Sequence, residues 1–518
     1  MGIKDTSTAN NNLVELQSIP DASHEETATK VGGHGDEALK VLGEHLEVIT
    51  QEEEERVLRK IDWRLVPVLM LVNSVQLIDK NTLSAAATYG LIQQAKLKAQ
   101  EYSMLVALFY VGYLVAEYPS NYLMQKFPTG KYLTVNFILW GVVLACSGAA
   151  TNFAGLAACR FLLGVFEAPL NPGLIVITSS WWKTGEQARR VGLWYSSAGF
   201  INLVVVLIFY GIAHIRVGNM FPYQWMFLIF GLFTVLVGTI LFWVLPDSPM
   251  TCRFLNERER MVAIQRIKDN QTGIKNTEHK GYQVVEAFKD PKVWILTIGV
   301  FFQNMTNALQ SSFTGLIIKG LGYNTYHAVL LTMPASAVIG ITCLAVTWFL
   351  SSSWGQNKRI FAIICCYVPG IIGTVLLYAV PLKKSTVGVH LFAVYFVNTI
   401  STCASIMYSL VASNIAGYTK KSVVNSMFFI SYSLGNIVSP QAFLQKEAPR
   451  YQTGIAVTLA SFCANILLFS SLYVIYTISN RRRDKEAASQ PVMDEDTRMR
   501  LAFSDLTDLQ NRNMRYAL

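Results

Sequence analysis

"WMFLIFGLFTVLVGTILFWVL", residues 225 to 245, runs for 21 residues without a charged side chain. Wound as an α-helix at about 1.5 Å per residue it reaches across roughly 30 Å, the thickness of a bilayer's hydrocarbon core. A helix of a soluble protein carries a polar face, and this one has none. "YLTVNFILWGVVLACSGAAT" at 132–151 repeats the pattern. Over the whole chain of 518 residues, 52% are hydrophobic and 15% charged, which excludes a string of soluble domains and reads as a membrane protein. The net charge of +9 sits at the ends of apolar runs and forms no aromatic-laced patch. Nucleic acid is therefore not an expected partner, and the charge reads as membrane topology. The eight cysteines show no metal spacing and, Cys252 apart, lie within apolar runs as small hydrophobes. No metal and no cofactor are expected.

Twelve runs are long enough to span, near 64–88, 102–124, 131–151, 154–177, 190–212, 223–245, 293–317, 326–350, 358–380, 387–411, 422–444 and 454–478. The expected fold is an all-α membrane protein of twelve transmembrane helices, in two pseudo-symmetric six-helix bundles produced by duplication. The expected parts are an N-terminal tail 1–61, a first bundle 62–245, a central loop 246–291, a second bundle 292–479 and a C-terminal tail 480–518. Arg56, Arg59, Lys60, Arg253, Arg258, Arg260, Arg266, Lys268 and "RRRDK" at 481–485 share one side, which places both termini and the central loop in the cytoplasm. The tails, 1–50 and 484–518, lack core-forming periodicity. Disorder is expected there, with a short amphipathic helix near 38–60.

Charge inside a span is expensive and marks function or a structural pair. In "CRFLLGVFEAPLNPG" (159–173), Arg160 and Glu167 are seven residues apart, about two turns, so they share a helix face with Gly164 between them. In the first span Asn73, Gln76 and Lys80 form one polar stripe, and Asp79 and Asn81 flank the lysine. Counted at about 1.5 Å per residue, Asp79, Lys80 and Arg160 fall at matching depths, with Glu167 nearer the midplane. Two cations and two carboxylates are neutral together. An arriving substrate carboxylate leaves one uncompensated negative charge, which a bound proton cancels. The expectation is co-binding of an organic anion by Lys80 and Arg160 and of H⁺ by Glu167 or Asp79. Four purely structural charges are the alternative.

Weaker signals lie in the second half, where Asn304 and Asn307 share a face of the seventh span and Asn436 stands beside Gly435 in the eleventh. They suit either a substrate-lined gate or interhelical packing. Tyr113 and Glu117 lie one turn apart; Tyr113 is expected to reach the cavity, and Glu117 to pair with a cation of an inner loop.

"RKIDWRLVPVL", the Asp79-Lys80-Asn81 step, "EYPSN", "RFLLGVFEAPLNPG", "LPDSP", "NQTGIKN", "EAFKDPKVW" and "SLGNIVSPQ" together resemble the fungal allantoate permease family, in the anion:cation symporter branch of the major facilitator superfamily. The resemblance runs from about residue 56 to 478. It implies alternating access between two bundles and proton-driven uptake of a small organic anion: allantoate, ureidosuccinate, nicotinate, pantothenate, a sulfur-containing acid or a small peptide. It also implies substrate binding and coupling at Lys80, Arg160 and Glu167. The superfamily's acidic residue between the second and third spans is missing from "LMQKFPTGKYL", so no latch is expected from that loop alone. Many relatives have Arg where Lys80 stands, and a Lys point charge cannot grip a carboxylate with two parallel bonds.

The reading is a monomeric secondary transporter of the plasma membrane, carrying an organic anion with a proton. It is not an enzyme, since no nucleophile has a nearby base. The alternative is a nutrient sensor that keeps the fold and signals through its tails.

Overall fold

The computed structural model describes residues 50–518 apart from 99, 216–219, 251, 269–279, 353, 356 and 490–505, and the described residues contain helices and turns but no strand. Twelve spans cross in sequence. In the first half they are α1 (Gln51–Thr88), α2 (Glu101–Lys126), α3 (Thr129–Ser147), α4 (Phe153–Glu167, resumed as Leu170–Trp181), α5 (Thr184–Ile212) and α6 (Pro222–Val244). In the second half α7 runs Pro291–Asn304 and, after a π-helical turn at Leu309–Phe313, Thr314–Gly320. It is followed by α8 (Thr325–Leu330 and Met333–Ser351), α9 (Arg359–Ala379), α10 (Val387–Val397 to Cys403–Asn414), α11 (Tyr418–Val438) and α12 (Gln452–Ala488).

Eight of the described helices are long and apolar enough to cross a membrane by composition alone, and α2, α5, α7 and α11 are not among them. α7 is not among them because it is broken into short pieces, and polar side chains of these spans bond across to the other half. Asn307 of α7 donates to the Tyr110 hydroxyl of α2 (3.1 Å), and Asn202 of α5 donates to Ser336 of α8 (2.5 Å). The helices α3, α6, α9 and α12 are apolar over most of their surface, and the polar residues they carry, such as Thr458, Ser461 and Asn465 of α12, are buried.

The end that carries residue 51, the central segment and residues 506–518 is held by ion pairs within each half. Glu54 accepts from Lys183 (2.5 Å) and Arg266 (3.1 Å), Arg266 also reaches Glu186 (2.7 Å), and Asp62 binds Arg190 (2.7 Å). The second half repeats the device where its first span begins, with Asp290 bound to Lys420 at 2.9 Å. Bonds between the halves lie elsewhere. Ser84 and Tyr102 both donate to the Ser312 carbonyl (3.2 and 3.0 Å), Lys319 donates to the Thr88 carbonyl (2.6 Å), and Gln441 donates to the Ser103 carbonyl (3.3 Å). All of these sit toward the end opposite the termini. The two halves are therefore closed against each other on the far side.

Three expectations change. The amphipathic stretch before the first span is not a separate helix: its described part, from residue 51, continues into α1 without a break, because Glu53, Glu54 and Lys60 are tied to Arg258, Lys183 and Glu259. The part before residue 50 and the "NQTGIKN" motif lie outside the described residues. The tail after residue 484 is not disordered where it is described: α12 runs on to Ala488, and residues 506–518 pack back with Asp508 buried. Lastly, the acid missing from the α2–α3 loop comes from "LPDSP", where Asp247 accepts the Lys131 backbone N–H at 2.9 Å and lies 3.8 Å from its ammonium.

Candidate functional site

Local sequence sets up the site on α4. Pro169 has no N–H to give, so the helix breaks just after Glu167 and leaves that carboxylate at the end of its first segment. Gly164 and Gly112 let α4 and α2 touch backbone to backbone. A Cβ at Gly164 would fall 1.9 Å from the Phe109 carbonyl, and one at Gly112 would fall 2.1 Å from that of Phe161. Any larger residue would push apart the two helices that frame the charges.

The structure brings the four charged residues together and decides how they pair. Lys80 meets Glu167 at 3.0 Å, and the lysine side chain is 25% exposed while the carboxylate is wholly buried. Arg160 and Asp79 are also buried and lie within electrostatic reach of each other. Glu167 is thus tied to the cation of α1, and the arginine on its own helix face is left over. Trp140 of α3 donates its indole N–H to Asp79 at 3.0 Å, and Arg160 stands over the Phe227 ring at 5.7 Å.

What the set lacks is as telling as what it has. Arg160 Nη2, Asp79 Oδ1 and both Glu167 oxygens are buried with no hydrogen-bond partner. The Lys80 ammonium lies 3.0 Å from Glu167 Oε1 as an ion pair. Buried polar atoms are nearly always bonded in folded proteins, so several orphans in one place set this cluster apart. Lys80 is the most exposed of the four.

The three asparagines form one ladder. Asn307 donates to Asn436 (2.6 Å), and Asn436 donates to Asn304 (3.0 Å) and to the Tyr432 carbonyl (2.9 Å). Asn304 and Asn436 are buried and spent on packing α7 against α11, while Asn307 reaches across to Tyr110 of the first half. Tyr113 does not open onto the charges as expected. It is buried against Ala116 and Ala168, with its ring 6.3 Å from that of Tyr432, because the close approach of α2 and α4 closes over it. Tyr110 and Tyr432 border Lys80 instead. Tyr110, Tyr113 and Glu117 stand at i, i+3 and i+7, so the face was legible. Trp140, inside an otherwise apolar run, gave no signal.

Glu117 also departs from expectation. Its Oε1 accepts only from Asn121 (3.3 Å), its Oε2 is buried without a partner, and no Lys or Arg among the described residues pairs with it. The loop cations have other occupations, since Lys126 lies over the Tyr122 ring at 4.5 Å and Lys131 is beside Asp247.

Residues 69–440 match the Major Facilitator Superfamily model. The chain is 32% identical to the allantoate permease of Saccharomyces cerevisiae over 499 residues, covering 93% of this chain and 90% of that protein. It is 33% identical over 470 residues to a thiamine pathway transporter of the same yeast (90% and 87% covered), and 35% identical over 484 residues to an uncharacterized transporter of Schizosaccharomyces pombe (93% and 89%). Among solved structures, a D-xylose–proton symporter superposes with a TM-score of 0.60 at 14% identity, covering 79% of this chain and 97% of that one. Twelve spans in two halves, a buried charged set on α1 and α4 of the first half and these relatives lead to one conclusion: the chain belongs to the allantoate permease family of the Major Facilitator Superfamily and is a multi-pass secondary transporter, not an enzyme.

Proposed function

We propose that the protein is a proton-coupled symporter of a small organic anion, with Lys80 and Arg160 as the anion site and Glu167, assisted by Asp79, as the proton carrier. The observation that carries the reading is the Lys80–Glu167 contact beside an Arg160 with unmet bonding capacity. A substrate carboxylate entering between the two cations competes with Glu167 for Lys80. Once displaced, the buried Glu167 loses its counter-charge, and a proton replaces it. Neither partner is held well alone, so anion and proton travel together. Asn307 and Tyr110 border the same space and offer neutral hydrogen bonds for the rest of the substrate; Asn304, Asn436 and Tyr113 act behind them.

The named relatives support an acid of the allantoate type, with ureidosuccinate, nicotinate, pantothenate, sulfur-containing acids and small peptides as further candidates. The basic residues at the terminal end support an orientation with both termini in the cytoplasm, and a monomer in the plasma membrane completes the proposal. With the far side closed, the structure then corresponds to a state open to the cytoplasm. Uptake of a panel of labelled acids by proteoliposomes under an imposed pH gradient tests the function. Accumulation of one of them against its gradient, abolished by a protonophore, is expected. No accumulation of any acid would return the chain to the reading of a sensor. Tags at either terminus or within 255–268 are expected to be reached only after permeabilising cells; labelling in intact cells would reverse the orientation.

A further inference from the structure

We propose that Glu117 is a second proton-carrying carboxyl of the transport path, a station on the terminal-end side of the Lys80–Glu167 pair. This rests on the proton-symport reading above and adds a group that the four-charge site does not use. Glu117 stands in the membrane part of α2, nine positions before Lys126, about 14 Å along the helix from that end. The carboxyl has one long hydrogen bond from Asn121 (3.3 Å) and one buried oxygen without a partner. An unpaired carboxylate inside a bilayer is costly, and such groups persist where they exchange protons with a water-filled path.

The surroundings link it to the known set. Tyr113, one turn earlier on α2, lies between: it is within electrostatic reach of Glu117 on one side and of Lys80 on the other. The groups facing this corner are Tyr113 from α2, Tyr432 from α11 behind it and the neutral Asn171 from α4. No cation is among the partners of Glu117 itself, so its charge is free to change without breaking an ion pair. The halves are bonded together on the far side, so the proposed proton route runs toward the terminal end. A proton leaving Glu167 passes through water to the free Oε2 of Glu117 and from there to bulk water. One O–H bond breaks as the next forms, and no other reactant is needed.

Two experiments decide it. Infrared difference spectra of the purified protein across a pH titration follow the carbonyl stretch of protonated carboxyl groups and need no substrate. Glu117→Gln is expected to remove one titrating band, and an unchanged spectrum would overturn the proposal. In proteoliposomes with labelled allantoate as the probe, Glu117→Gln is expected to slow net pH-driven uptake roughly tenfold or more. Exchange of internal for external allantoate and the final accumulation ratio should stay at the wild-type level, and Glu117→Asp should recover most of the rate. Equal loss of exchange and net uptake would mean a structural role and end the proposal. Wild-type vesicles without pH-driven uptake would sink proton symport itself, whereas wild-type uptake with an indifferent Glu117→Gln would sink the station alone.

Discussion

Two clusters of buried charge stand in this molecule, one at the terminal end of the second half and one inside the first half, on α1 and α4. In the first, Lys420 gives bonds to Glu286 (2.9 Å), Asp290 (2.9 Å) and Asp508 (2.6 Å), and Lys292 gives bonds to Asp508 (2.8 Å) and to the Tyr516 hydroxyl. Arg483 holds the carbonyls of Met514 (2.6 Å) and Asp508 (2.5 Å), and the Arg359 N–H binds the Leu518 carbonyl (2.6 Å). Residues 506–518 thereby tie together α7, α9, α11 and α12, and Asn414 adds α10 by donating to the Ala517 carbonyl at 2.9 Å. In the second cluster, with the same balance of signs, four atoms are left without hydrogen bonds. A fully bonded buried network rigidifies what it joins, and a partly bonded one is poised for a visitor. One cluster fastens spans of the second half to one another; the other is the site proposed for transport.

The contrast breaks most easily at Arg160. Arg160→Ala is expected to lower binding of the transported acid by about a hundredfold or more, with Arg160→Lys recovering little, because a charge and then a forked geometry are lost. Equilibrium binding of labelled acid to purified protein measures it. Comparable loss of binding in Asp508→Ala would erase the distinction between the clusters.

Asp508→Ala is expected to act on stability instead. Leaving Lys292 and Lys420 short of a carboxylate costs on the order of 3 kcal/mol, read as earlier thermal unfolding, with binding affinity unchanged. Glu167→Gln separates coupling from binding. It mimics the protonated carboxyl and removes the competitor for Lys80, so exchange persists and affinity rises, while accumulation of about tenfold per pH unit for a one-proton cycle disappears. Uphill uptake by this variant at the wild-type level would pass the proton to Asp79.

Acid should separate the two regions further. Burial raises the Asp508 carboxyl, but Lys292 and Lys420 overcome it and hold the group below its ordinary 3.8. A lowered carboxyl stabilises fully above its unfolded value and loses that contribution only as pH falls through the lower folded one. Tail docking, followed by limited proteolysis, is therefore expected to be constant from neutral pH to about 5, while external acid drives uptake upward. The smallest effect belongs to the exposed Arg512–Glu486 pair. Its side chains are 70% and 47% exposed, and Arg512→Ala should shift stability by roughly 0.5 kcal/mol or less.

How much of this was legible follows from what kind of information each feature carries. Where α6 crosses is written in residues 225–245, because the cost of placing charge in hydrocarbon acts residue by residue. The duplication into halves and the unusual presence of Asp79, Lys80, Arg160 and Glu167 were legible for the same reason. The tail was misread because Asp508 and Tyr516 look like any polar segment until Lys292 and Lys420, from spans far away in sequence, are brought beside them.

Hydrophobicity and helical period are local, so the sequence alone determined a twelve-span, two-half transporter with four charges on α1 and α4. Pairing is not local. Arg160 and Glu167 share a helix face, yet Glu167 pairs with Lys80, because the glycine contact at Gly112 and Gly164 fixes how α4 packs on α2, and with it which charges face α1. The same packing gave Asp79 to Trp140, shut Tyr113 away, set Tyr110 and Tyr432 beside Lys80 and left Glu117 without a cation. Only the tertiary structure decided these, since each depends on the rotation and spacing of helices that no single segment encodes.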